Sequence, residues 1–187
     1  KPAGFTKGKI EVHRTQSGDM EYYADLNCWD TAIKVDFLEK PVTDISANIL
    51  LSPNLAEVKK LSGNYGDMPV SLTGRFMPEM EKQLCYDVSL DLKNVRLNDK
   101  ELQSLLPESI KKTVKSFDPN GMADMVLDLK KLNPEKPVDY SVMMNCLGNS
   151  IYLKDFNCLV TDFTGLMKID ANNVKLKNIT AFLDNRT

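Results

Sequence analysis

A chain of 187 residues with 42% hydrophobic and 27% charged positions can bury the core of one domain or of two small ones. Its formal charge of −2 leaves no basic footprint for nucleic acid. No apolar run reaches the roughly 18–20 residues of a membrane-spanning helix, and no stretch reads as a secretory signal.

Period-2 alternation dominates from the first residues onward. KIEVH (9–13) sets Ile10 and Val12 on one face, with Lys9, Glu11 and His13 on the other. QSGD (16–19) and WDT (29–31) read as turns. AIKVDFL (32–38) then alternates Ile33, Val35 and Phe37 against Lys34 and Asp36. PVTDISANI (41–49) opens a strand that carries Ile49 and Leu51 on the apolar side, closed by SPN (52–54). After GNYGD (63–67), PVSLTGRF (69–76) alternates Val70 and Leu72, and DVSLDLKNVRL (87–97) alternates Val88, Leu90 and Leu92. A helical stretch follows at 98–117, with Asn98 placed to cap and Glu101 three residues later, the spacing of a capping box. Pro107 ends or kinks it, or opens a second helix carrying Ile110, Val114 and Phe117. MADMVLDL (122–129) then resumes the alternation, and LGN (147–149) and DANN (170–173) read as further turns. The pattern predicts about twelve strands joined as hairpins or meanders, each with one apolar and one wet face, as in an antiparallel sheet.

The chain also echoes itself. At an offset of 118 and without a gap, Tyr22 meets Tyr140, Asn27-Cys28 meets Asn145-Cys146, and Ile33 meets Ile151. Val42-Thr43-Asp44 meets Val160-Thr161-Asp162, Asn54 meets Asn172, and Lys59 meets Lys177. Upstream, Pro2 and Gly4 answer Pro119 and Gly121 at an offset of 117. This order of matches predicts two tandem units. The first spans 1–117 and ends in the helical connector 98–117; the second, truncated, spans 118–187. Asp44 and Asp162 are expected to make a local side-chain turn where a strand begins, with Ile45 and Phe163 starting the inward row.

Catalytic chemistry finds little footing. There is one His, at 13, on the polar face of its strand, and no nucleophile elbow, P-loop, dinucleotide fingerprint or zincin motif occurs. No catalytic residue, metal ligand or cofactor is expected, and the chain does not read as an enzyme. Cys28, Cys85, Cys146 and Cys158 fit no metal spacing. Cys28 and Cys146 hold the same repeat position, which suits a small buried side chain; a disulfide involving Cys146 and Cys158 is the other reading. What remains is geometric, because a long sheet that is apolar on one face throughout must cover that face with protein or with a ligand.

Several stretches resemble the repeats of AsmA/TamB-like envelope proteins. They are FDPNGMADMVLDL with its Pro-x-Gly opening, PVTDISANI, and LNDKELQSLLPES (97–109). A further stretch is the run that places Val58, Leu61, Gly63, Gly66, Val70, Leu72 and Gly74. The second unit departs from that run, with Ala181 answering Gly63 and Asp184 answering Gly66. The resemblance implies a mainly β fold in which one long curved antiparallel sheet forms a taco-like β-groove. It implies an apolar interior that holds acyl chains and passes phospholipid between membranes of the cell envelope, in the periplasm. Membrane attachment is then expected of other parts of a parent chain, and adjacent repeats of the same protein are expected partners. The candidate groove lining is Ile10, Val12, Ile33, Val35, Ile49, Leu51, Val70, Leu72, Val88 and Leu90. The alternative is a structural or adhesive β-repeat module with a closed core and no ligand.

Overall fold

The computed structural model describes residues 3–18, 20–36, 38–78, 84–105, 111, 118–153 and 157–184. Among these residues ten strands follow one another. They are β1 (Ala3–Arg14), β2 (Met20–Ile33), β3 (Val42–Ser52), β4 (Leu55–Tyr65), β5 (Met68–Pro78), β6 (Leu84–Arg96), β7 (Met122–Lys131), β8 (Asp139–Leu153), β9 (Cys158–Asp170) and β10 (Val174–Asp184). A short helix, α1 (Lys100–Leu105), lies between β6 and β7. The strands form one antiparallel sheet in the order β1 to β10, each beside its sequence neighbour. Two compact units divide it: residues 1–91 with 128–140, and residues 92–127 with 141–187.

Ten strands stand among the described residues where about twelve were expected, and two expected turns account for the difference. WDT lies inside β2 and LGN inside β8. Asp30 (φ 49°) and Gly148 (φ 83°) adopt the left-handed conformation that reads as a turn signal, yet here they make β-bulges. In β2, Trp29 and Asp30 stand between Cys28 and Thr31, whereas β3 has only Ser46 between their partners Ala47 and Ile45. The extra residue is absorbed and the strand runs on. Each bulge meets a glycine. A Cβ at Gly4 would lie 2.5 Å from Thr31 Cα, and one at Gly121 would lie 2.6 Å from Asn149 Nδ2. Asn149 is 1% exposed, and its amide is satisfied: Oδ1 accepts from Leu147 N (3.1 Å) and Nδ2 donates to Met122 O (2.7 Å).

The two aspartates of the repeated VTD also differ from expectation. Asp44 (φ 53°) and Asp162 (φ 49°) lie within β3 and β9, at bulges and not at turns. Asp44 and Ile45 together oppose Gly63, since Thr43 pairs with Asn64 and Ser46 with Ser62. The Asp44 carboxylate accepts from Thr43 Oγ1 (3.2 Å) and Asn64 Nδ2 (3.1 Å), so its partners are side chains and not its own backbone. Ile45 and Phe163, the second residue of each bulge, are buried.

The helix is capped one residue later than expected. Asp99 Oδ1 accepts from Glu101 N (2.9 Å) and Leu102 N (3.2 Å), while Asn98 donates to Asn120 Oδ1 (3.0 Å). The connector beyond 105, Pro107 included, lies outside the described residues apart from Lys111. The predicted turns at 16–19, 52–54, 63–67 and 170–173 do join successive strands. At the last of these, Asp170 Oδ1 accepts from Asn172 N and Asn173 N, both at 2.9 Å. The Asn172 backbone N–H holds the carboxyl below its ordinary value, with Asn173 and the Lys175 charge adding to it. The turn therefore has this bond in full above the ordinary carboxylate range and loses it only as pH falls through the lowered value.

Candidate functional site

Directly opposed residues in an antiparallel sheet share a face. In the first unit this produces three rows across five strands. Thr6 opposes Cys28, then Ala47, Leu61 and Leu72. Gly8 opposes Leu26, Ile49, Val58 and Gly74; Ile10 opposes Ala24, Leu51, Ala56 and Phe76. None of these positions carries a charge. The other face is polar: Lys7, Asn27, Asn48 and Lys60 form one row, and Lys9, Asp25, Leu50, Glu57 and Arg75 the next. Asn48 Nδ2 bridges Asp25 Oδ1 (3.1 Å) and Asn27 Oδ1 (2.9 Å), and Glu57 pairs with Arg75 at 2.9 Å.

Most of the candidate lining residues fall on the uncharged face. Ile10, Ile49, Leu51 and Leu72 lie in the rows just described; Val12 opposes Tyr22 at the near end, and Val70 opposes Gly63 at the far end. Ile33 opposes Val42, which in turn opposes Tyr65. Val88 is reached through Gly74, where an added Cβ would stand 2.7 Å from Val88 Cα. Leu90, two residues on in β6, is half-buried. Val35 does not join them. β2 ends at Ile33, and Val35 O instead accepts from Leu38 N (3.0 Å) in the bend toward β3.

Leu26, Val58, Leu61 and Phe76 belong to the same face and were not among the candidate lining residues, although Val58 and Leu61 stand in the run that carries the family resemblance. In β2 the signal was masked by Tyr22, Tyr23 and Trp29, which put large rings on both faces. In β4 the bulge at Lys59 breaks the alternation, because Asn48 opposes Lys60 while Ile49 opposes Val58. A reading at strict period 2 from Val58 arrives at Lys60 and misses Leu61.

The degree of cover decides what this face can do. β3, β4 and β5 each have a strand on both sides, yet Ile49, Leu51, Val58, Leu61 and Leu72 are only half-buried. All ten described strands lie in one sheet, so among the described residues no second sheet packs on them. In the second unit a different part of the face is closed: Cys146, Ile151, Val160 and Phe163 form a buried cluster, backed by Met144, Leu153, Met167 and Ile179.

The four cysteines form no disulfide. Cys146 is buried, and burial pushes its thiol above the ordinary value; Cys158 is partly exposed and not bonded to it. Among the described residues no group of three His, Cys, Asp or Glu side chains is placed to hold a metal. No helix there is long and apolar enough to cross a membrane. Shallow depressions lie on the polar face, one between Lys7, Lys9, Tyr23, Asp25 and Trp29.

The internal echo has a geometric counterpart. Seven opposed pairs between β2 and β3, from Ala24–Leu51 to Ile33–Val42, recur between β8 and β9 when 118 is added to each number. The pairs Val42–Tyr65, Thr43–Asn64, Ser46–Ser62, Ile49–Val58, Leu50–Glu57 and Leu51–Ala56 of β3 and β4 recur in the same way between β9 and β10. No protein-family model, no curated protein and no solved structure matches the chain.

Proposed function

We propose that this chain is a segment of an AsmA-like repeating β-groove that binds acyl chains and supports phospholipid transfer between membranes of the cell envelope. The observation that carries the reading is the half-burial of Leu51, Val58, Leu61 and Leu72 on interior strands of an uncharged face. Covering such a face is favourable by about 25 cal/mol per Å² of apolar surface, and an acyl chain supplies that cover without needing a hydrogen-bond partner. In this reading β7–β10 are a second copy of β1–β4, supported by the shared register of their pairs. The groove is expected in the periplasm, attached to the membrane through other parts of a parent chain, with adjacent repeats as partners. No residue is assigned a catalytic role.

A second reading, a structural or adhesive envelope module with a closed core, is favoured by the buried cluster around Cys146 and Phe163. Native mass spectrometry of the purified chain, followed by organic extraction, separates the two. Phospholipid co-purifying in rough proportion to protein is the expected result for the groove. A clean protein mass with no extractable lipid would sink it.

A further inference from the structure

β4 and β10 occupy matching places, but their outer edges differ. β4 pairs on that side with β5, whereas β10 ends the sheet among the described strands. The exposures follow. Tyr65, on β4, is 7% exposed, while Leu183 at the matching place on β10 is 67% exposed. Val58 is half-buried, and its counterpart Leu176 is 54% exposed. The backbone N–H and C=O groups along such an edge are a template for another strand. No inward-pointing charge or proline blocks this one.

The charges point to the occupant. On β4, Glu57 faces Arg75 of β5 in an ion pair. On β10 the matching residue is Lys175, and behind it Lys168 of β9 stands directly opposite, so two exposed lysines are opposed on one face. Like charges placed so are mutually destabilising. Asp170, at the hairpin turn, offsets part of the Lys175 charge. A β5-like strand with Arg at its facing position would put a third cation in the row, and one with a carboxylate there would relieve it.

We propose that the outer edge of β10 docks an antiparallel strand of a further unit of this kind. That strand follows the β5 pattern but carries Asp or Glu where β5 carries Arg75. The inference rests on reading β7–β10 as a second copy of β1–β4. Carried over from β4 and β5, the register sets the position of Phe76 opposite Val174, Arg75 opposite Lys175, Gly74 opposite Leu176 and Ser71 opposite Thr180. This chain's own β5 cannot be the occupant, because it is already paired with β4 and β6.

The test uses the 187-residue chain and two labelled synthetic peptides: MPVSLTGRFMP, the sequence of β5, and its Arg75→Glu form. Binding is read by fluorescence anisotropy, and the site by amide exchange of residues 174–184. The Arg75→Glu peptide should bind about three- to tenfold more tightly, the size of one exposed ion pair gained and one like-charge contact removed. It should slow exchange along β10, and added salt should shrink the preference. Lys175→Glu, a change at an exposed position, should reverse the preference. The inference is overturned if neither peptide slows exchange in β10, if protection falls on β1, or if Lys175→Glu leaves the preference unchanged. It is also overturned if β10 is protected by self-association without peptide, which would make a second copy the occupant. Lipid extracted from the same sample keeps the readings apart: lipid without peptide binding defeats the edge inference alone, and peptide binding without lipid defeats the groove alone.

Discussion

Asp44 and Asp162 hold backbone conformations that most side chains resist, and Asp tolerates them because it is short and hydrogen-bonds locally. A β-branched residue has neither advantage. Asp44→Val should therefore destabilise the protein by about 1–2 kcal/mol more than Asp44→Gly. The glycine variant keeps the conformation and loses only the bonds to Thr43 and Asn64. Urea unfolding of the two variants checks the order; equal midpoints would mean that the left-handed conformation carries no cost there. The recurrence of VTD was plain in the sequence, but its meaning was not. Asp is equally at home in a turn and in a bulge, and only the pairing of Thr43 with Asn64 and Ser46 with Ser62 tells the two apart.

At the scale of the strand, alternation located the elements well and their continuity poorly. β7 follows the predicted alternation, with Ala123 and Met125 buried on one side. β2 and β8 were each expected to break at a turn and instead run 14 and 15 residues through a bulge. Glycines show how tightly adjacent strands approach. At Gly74 (φ 155°) an added Cβ would fall 2.6 Å from Asp87 O and 2.7 Å from Val88 Cα, both backbone atoms that cannot swing aside. At Gly148 (φ 83°) it would meet nothing within 4 Å. Gly74→Ala should accordingly cost about 1–3 kcal/mol, mostly from overpacking between β5 and β6. Gly148→Ala should cost about 1 kcal/mol, from backbone conformation alone. Thermal unfolding of the pair distinguishes the two causes, and the larger loss should fall on Gly74.

For the whole molecule the question is what lies on the uncharged face. Leu72 sits in a row with Leu61 and Ala47, and Ser71 beside it points to the polar side opposite Ser62. With an open groove, Leu72→Asp should leave the circular dichroism of the sheet intact and sharply reduce extractable phospholipid, and Ser71→Asp should change neither. In a closed core, a charge at Leu72 would be buried without a partner, and unfolding would follow at a cost of several kcal/mol. Circular dichroism read beside lipid extraction tells these outcomes apart.

Alternation of apolar and polar side chains is a local property with a period of two, so the sequence was enough to show a mainly β chain with one uncharged face. Period alone put Ile10, Val12, Ile33, Ile49, Leu51, Val70 and Leu72 on one face, and strand pairing keeps them together. Whether a left-handed residue ends a strand or bulges it depends on the opposing strand, and so does the phase change at Lys59 that brings Leu61 onto the face of Val58. Cover is less local still. The half-burial of Leu51 and Leu72 depends on what packs above the sheet, and no residue's own chemistry encodes that.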